Sequence, residues 1–203
     1  MKTTKLLVSA VAFAAALAAA KANGQNLTVT LNGFNPAVAV QGTINGKDIV
    51  DYPSGLMNFS GFDGFCVEPL QSLAIDETLV YQIQTPASLA NSDKIARLIG
   101  GYLQSAGTAQ DAAAVQWAIW ETTTEPLGSS LYGGNVRITS LDNNDVALLA
   151  NQYLANFQSY NPVTLTYLTN ELRQDVVTWQ VVPEPTSAGL AALSALFLLR
   201  RRR

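Results

Sequence analysis

Apolar and polar residues alternate in two regions of the chain, one on each side of a helical middle. Such alternation is the pattern of half-buried β-strands. Asn32-Gly33 and Asn45-Gly46 predict turns, the second of them within a hairpin. Residues 58–67, rich in Gly and Phe, predict a loop that leads into a short strand ending at Cys66. The other predicted strands cover residues 26–31, 37–40, 44, 49–50, 79–83, 163–168 and 175–182.

The middle of the chain has apolar residues at intervals of three and four, which predicts amphipathic helices. The first covers about 94–104 and is capped by Ser92-Asp93. The second runs to about Glu121 and is opened by Thr108 with Asp111 three residues later, and the third begins at 143–145. Strands on both sides of a helical middle predict an α+β fold, a β-sheet or sandwich scaffold with an inserted helical subdomain.

Gln116 stands out in the second predicted helix because its helical neighbours are apolar. Ala112, Ala113, Ile119 and Trp120 lie three or four positions away, so the pattern places the glutamine inside the protein. A buried amide without a hydrogen-bond partner costs a few kcal/mol. Either backbone groups satisfy this amide, or its carbonyl carbon takes part in chemistry.

The N-terminal segment predicts a secretory signal peptide. Lys2 and Lys5 precede an apolar run at residues 6–20, and Ala20-Lys21-Ala22 fits a small-x-small cleavage site. We therefore assign residues 1–22 to the signal peptide and residues 23–182 to the exported domain. An N-terminal membrane anchor is the alternative, but the run is short for a membrane span.

The C-terminal segment, residues 183–203, predicts a second sorting element. Pro183-Glu184-Pro185 is followed by twelve apolar residues at 188–199 and by Arg200 to Arg203. A helix of that length spans about 18 Å, well short of a hydrocarbon core of about 30 Å, which favours transient membrane contact over a permanent transmembrane helix. The order of these features resembles the PEP-CTERM sorting signal. That resemblance implies an exosortase-type processing protease as a partner, with a simple tail anchor as the alternative.

The charge of the predicted exported domain argues against nucleic acid as a partner. Residues 23–182 contain fourteen acidic and five basic residues, a net charge of −9. A domain of that charge repels phosphate backbones. The chain has one cysteine and no histidine, which speaks against a zinc site and excludes a Ser-His-Asp triad. We expect neither a metal nor a cofactor.

The single cysteine is unusual for an exported protein, because an oxidising compartment tends to capture a lone thiol. Taken alone, Cys66 is interpreted as a small buried apolar residue. Together with Gln116, which the pattern places inside the protein, Cys66 has a further interpretation. The sulfur attacks the side-chain amide, ammonia leaves, and an internal thioester remains.

Two short motifs resemble the signatures of bacterial thioester domains. These are Phe65-Cys66-Val67 and, about fifty residues later, Val115-Gln116-Trp117-Ala118-Ile119-Trp120. The similarity spans roughly residues 59–157. It implies that Cys66 and Gln116 form the thioester and that the domain captures a nucleophile covalently, as a surface adhesin does. Most members of that family carry stalk domains and a cell-wall anchor; we expect neither here, because the sorting pattern at residues 183–203 is of a different kind.

Several functional expectations follow from the resemblance. Phe65, Trp117 and Trp120 shield the thioester from water, and an amine or hydroxyl on a surface or matrix target attacks it. The transfer happens once per molecule, so the protein is not an enzyme. Glu68 and Glu121 either assist the nucleophile or are solvated carboxylates.

Three other functions are alternatives to covalent capture. They are an extracellular matrix protein in which the bond only staples the fold, a matrix protein with no bond, and a hydrolase using paired carboxylates.

Overall fold

The strands of the computed structural model, which describes residues 26–125 and 130–180, form one antiparallel hydrogen-bonded network. The predicted signal peptide and sorting signal lie outside the described residues. The strands are β1 Asn26–Ile44, β2 Lys47–Phe59, β3 Asp63–Cys66, β4 Thr78–Gln84, β5 Val136–Ile138, β6 Thr164–Thr169 and β7 Val176–Gln180. Their hydrogen-bonded order is β2-β3-β7-β6-β4-β1-β5, and β1 pairs in addition with β2, the strand at the start of this order.

The long strand β1 belongs to two parts of the network. Its residues 26–30 pair with β4, whereas residues 31–44 pair with β2. The turn predicted at Asn32-Gly33 is wrong, because β1 continues through these residues with a shift of register between Leu31 and Gly33. The predicted hairpin turn at Asn45-Gly46 is confirmed, and both residues have positive φ, as tight hairpin turns require.

The three predicted helices are present, and the α+β class with helices inserted between strands is confirmed. They are α1 Ser92–Gln104, α2 Ala109–Thr124 and α3 Asn144–Asn156, all between β4 and β6 in the chain. At the start of α2, the Thr108 hydroxyl accepts from Asp111 N and the Asp111 carboxylate accepts from Thr108 N, a reciprocal cap. No helix within the described ranges has both the length and the apolar character needed to cross a membrane.

Helix α2 lies at the centre of the core. Every residue from Asp111 to Thr122 is buried, so the helix has no solvent-facing side over three turns. It contacts β1, β2 and β3 as well as the other two helices. Burial on all sides explains the run of Ala, Val, Ile and Trp, in which Gln116 and Glu121 are buried polar exceptions. The same position puts Gln116 against a strand.

Candidate functional site: a cysteine–glutamine pair

Gln116 and Cys66 contact each other in the interior through two hydrogen bonds. Gln116 Nε2 donates to Cys66 O at 2.7 Å. Cys66 N donates to Gln116 Oε1 at 3.0 Å. The two residues are only 1% and 2% exposed. Both polar atoms of the buried amide are therefore satisfied by one backbone residue fifty positions earlier.

The end of β3 explains why an amide is placed there. β2 pairs with β3 only at Asp63 and Gly64, so it does not reach Cys66. On the opposite side β7 continues the pairing, and Val67 N donates to Asp175 O. The N–H and C=O of Cys66 point to the side that β2 has left. The side chain of Gln116 takes the place of a peptide group of a neighbouring strand.

The same contact places the two residues of the predicted thioester side by side. The carbonyl carbon of Gln116 carries the two atoms that contact the Cys66 backbone. Cys66 Sγ is separated from the backbone nitrogen of that contact by only Cα and Cβ. The sulfur and the amide carbon are thus confined to one small, dry region.

Burial dominates the acid–base behaviour of the thiol. Removal from water raises the pKa of Cys66 to about 12. The indole N–H of Trp120 and the backbone N–H of Glu68 act in the opposite direction and lower it. Within the described chain, no atom lies in hydrogen-bond geometry to Trp120 Nε1, although this atom is buried. The raised pKa keeps the thiol neutral at pH 7 when it is not part of a thioester.

Two of the predicted shielding residues lie close to the pair. Trp120 is one helical turn after Gln116 and is 1% exposed. Trp117 is fully buried, and its ring centroid is 5.3 Å from that of Trp120. Trp117 Nε1 donates to Ser54 Oγ at 3.0 Å, which fixes the ring against β2. These contacts place two large rings in the middle of α2, within about one turn of Gln116.

Phe65 is buried on a different side of the strand. Successive side chains of a strand point to opposite faces, so Phe65 and Cys66 diverge. The Phe65 ring stacks on Trp179 at 5.6 Å and meets the edge of Tyr102 at 5.4 Å. Its shielding of the sulfur stays a prediction. The contacts show a ring that anchors β3 to β7 and α1 from the opposite face.

Tyr52 and Gln174 belong to the surroundings of the pair but were not singled out from the sequence. Gln174 is fully buried, and its Nε2 donates to Tyr52 Oη at 2.9 Å. The Tyr52 ring lies 6.0 Å from that of Trp120. Gln174 Oε1 is buried and has no partner within the described chain. Tyr52 and Gln174 are 122 positions apart, so no local sequence pattern signals this contact.

The two glutamates considered in the sequence occupy different places. Glu68 is half-buried, two residues after Cys66, and its Oε2 accepts from Gln71 Nε2 at 2.9 Å. Burial, and then the charge of Asp175, raise the pKa of Glu68. Glu121 is five residues after Gln116 and therefore faces away from it on the helix. Of the two, Glu68 is the one near the pair.

The described residues contain no group of three or more His, Cys, Asp or Glu that could hold a metal ion. The pair itself consists of one thiol and one amide. Comparison of the chain with known proteins finds no matching family model, no matching curated protein and no matching solved structure.

Proposed function

We propose that this chain is an exported surface protein in which Cys66 and Gln116 form an internal thioester that captures a nucleophile covalently. The observation that supports this is the double contact between the Gln116 amide and the Cys66 backbone. It joins the only cysteine of the chain to a glutamine in a buried helix. The flanking motifs are those that resemble bacterial thioester domains.

Formation of the bond needs no cofactor. Sulfur attacks the Gln116 carbonyl carbon, the C–N bond breaks, and ammonia leaves with the thiol proton. In the captured product, the nucleophile is joined to the Gln116 carbonyl and the Cys66 thiol is restored. Each molecule reacts once, so the protein acts as an attachment device and not as an enzyme.

Export is proposed from the sequence at the two ends. The signal peptide pattern at residues 1–22 directs the chain out of the cytoplasm. The sorting pattern at residues 183–203 supplies transient membrane contact and a substrate for an exosortase-type protease. The mature domain then lies at the cell surface or in the extracellular matrix, where amines and hydroxyls are available on other molecules.

Intact mass tests the bond directly. The purified, processed protein should weigh one ammonia less than its sequence requires. Cys66→Ser and Gln116→Ala should each show the full mass. Methylamine should add one molecule to the wild type and release one titratable thiol. A wild-type protein with full mass and a free thiol would contradict the proposal, leaving Gln116 as a core glutamine held by two hydrogen bonds.

The burial of the pair favours one second candidate. With Cys66 and Gln116 only 2% and 1% exposed, a closed bond could serve solely as a staple in an extracellular matrix protein. In that case the mass deficit is present, but methylamine does not react in the folded protein and reacts only after unfolding in urea. The two outcomes of the methylamine experiment therefore separate capture from stapling.

A further inference from the structure

A cavity of about 340 Å³ lies between the C-terminal end of α1 and one face of α3, and we call it the helix cleft. Both helices pack against α2. Gly101 and Gln104 border the cleft from α1, and Leu149, Gln152 and Tyr153, spaced by three and four positions, border it from α3. Neither residue of the proposed thioester lines it, so the cleft is a separate site.

The ring of Tyr160 forms a fixed wall of the helix cleft. It lies against the backbone of α1 at Gly101, where an added Cβ would come within 2.7 Å of the ring. An added Cβ at Gly100 would overlap the backbone oxygen of Asn161, so the chain after the ring is just as close to the helix. Arg97 Nη1 donates to Tyr160 O at 3.1 Å. The ring is therefore positioned before any ligand binds, which lowers the entropic cost of binding.

A second tyrosine supports this ring. The ring centroid of Tyr153 is 5.8 Å from that of Tyr160. Tyr153 Oη donates to Asp111 Oδ1 at 3.3 Å, which ties Tyr153 to α2. Tyr153 is buried whereas Tyr160 is half-buried, so Tyr160 is the more accessible ring of the two. An aromatic ring held in this way is a surface on which an apolar face of a ligand can stack.

Two amide side chains face solvent at the rim of the helix cleft, one on each helix. Gln104 and Gln152 are both exposed. Within the described chain, neither side-chain amide makes a hydrogen bond to another residue. Each amide has two N–H donors and an oxygen with two lone pairs. Together they match a ligand that presents several hydroxyl groups, because a hydroxyl both donates and accepts.

The helix cleft is neutral although the domain around it is acidic. None of the described residues that line it carries a charge, whereas residues 23–182 have a net charge of −9. A charged ligand would therefore find no opposite charge in the cleft. Its volume is at the lower end of the range of about 300–1,000 Å³ for ligand sites. It fits a short stretch of a neutral chain.

We propose that the helix cleft binds a neutral polysaccharide without forming a covalent bond. A sugar ring places its C–H face on Tyr160, and its hydroxyl groups hydrogen-bond to Gln104 and Gln152. A proline-rich peptide also stacks on tyrosine, but proline has no N–H to donate to the two amide oxygens. The polysaccharide uses both halves of each amide. This site goes beyond the proposed function and works without the thioester.

Affinity electrophoresis of a Cys66→Ser protein tests the cleft, because this variant cannot capture a hydroxyl covalently. Native gels contain hydroxyethylcellulose, laminarin, dextran or galactomannan as neutral probes, and alginate as an anionic one. At least one neutral polysaccharide should retard the protein. Alginate should not, since the domain and this polymer are both negative. The dependence of mobility on polysaccharide concentration gives the dissociation constant.

Variants of the rim and of the ring locate the binding site. Gln104→Ala combined with Gln152→Ala should raise the dissociation constant about tenfold, because two hydrogen bonds are lost. These exposed side chains make no contact that folding needs, and an unchanged urea midpoint checks this. Tyr160→Phe keeps the stacking surface and should bind as the parent does. Gln110→Ala, at an exposed position of α2, is the matched control and should have no effect.

Three results would overturn this inference. They are no retardation by any of the four neutral polysaccharides, equal retardation of the parent and the double glutamine variant, and binding of a polyproline peptide in place of the polysaccharides. The last result would assign the cleft to a peptide. None of them depends on the ammonia deficit in mass that tests the thioester, so the two proposals can fail independently.

Discussion

Gln116 spans the gap between helix α2 and strand β3 by hydrogen-bonding its side-chain amide to both backbone groups of Cys66. The contact is the same one that a neighbouring strand would make. It satisfies two buried backbone groups at the point where β2 has ended. It therefore has a structural consequence that is independent of the thioester.

This consequence is measurable in a protein that cannot form the bond. In a Cys66→Ala background, adding Gln116→Ala leaves the N–H and C=O of residue 66 buried without partners. We expect the free energy of unfolding to fall by about 2–4 kcal/mol, since each buried orphan costs about 1–3 kcal/mol. Urea unfolding measures it. Gln110→Ala, at an exposed position of the same helix, should change stability by less than about 0.5 kcal/mol. Equal effects of the two substitutions would refute the role of Gln116.

Trp120 offers a test of shielding. With the thioester closed, Trp120→Ala opens a space beside the bond and admits water. The half-life of the thioester in buffer should shorten at least tenfold, equivalent to about 1.4 kcal/mol of the barrier to hydrolysis. Trp120→Phe keeps most of the ring and loses the N–H, so it should preserve the half-life. The measurement is the decay of the mass deficit with time, and equally fast decay in the Phe variant would assign the effect to the N–H instead of the bulk.

Gly42 is required where β1 passes the Trp117 ring. A Cβ built at this position would overlap the backbone oxygen of Arg137 and the ring of Trp117. Gly42→Ala should therefore lower the free energy of unfolding by about 1–3 kcal/mol through overpacking. Gly133→Ala is the control, because a Cβ there meets nothing within 4 Å. Thermal or urea unfolding compares them, and a neutral Gly42→Ala would contradict the close approach.

Glu121 predicts a dependence of stability on pH. Burial and then the charge of Glu125 raise its pKa from 4.5 to about 7, while the Ser130 N–H and Lys94 act in the opposite direction. Between pH 4.5 and about 7, Glu121 is ionised in the unfolded chain but still protonated in the folded protein. The free energy of unfolding therefore falls as pH rises from about 4.5 to about 7. The contribution is constant below and above that window.

The measurement is the urea midpoint at pH 5 and at pH 8. Glu121→Gln should be less sensitive to this change in pH than the wild type, because its amide does not titrate. Glu171→Gln, at an exposed position, should respond to pH as the wild type does. A wild type and a Glu121→Gln variant with the same response would show that Glu121 is solvated as a charge.

Patterns within a single element made parts of the fold predictable. The three helices follow from apolar spacing and from caps such as Thr108 with Asp111. The burial of Gln116 follows from the apolar residues around it. The full length of β2 is not predictable from alternation, because the four consecutive residues from Ser54 to Met57 are all buried, as on a strand covered from both sides. The Asn32-Gly33 pair imitates a turn but marks a register shift inside β1.

The candidate site could be predicted from the sequence only in part, because it depends on contacts between distant elements. The motifs around Cys66 and Gln116 suggested a pairing, but the edge of β3 that makes the amide necessary depends on where β2 and β7 lie. Tyr52 and Gln174 complete the surroundings of Trp120 across 122 positions of sequence. Neither residue has a neighbour pattern that distinguishes it from an ordinary polar residue of a strand or turn.

The fifty-residue separation of Cys66 and Gln116 also determines how the domain would respond to a mechanical pull. With the thioester closed, tension applied at the two ends crosses from β3 to α2 through the bond. The chain between them, including β4 and α1, then lies outside the path of the force. Stretched fully, that segment would span about 170 Å. A tethered molecule should lengthen by about this amount when the cross-link opens.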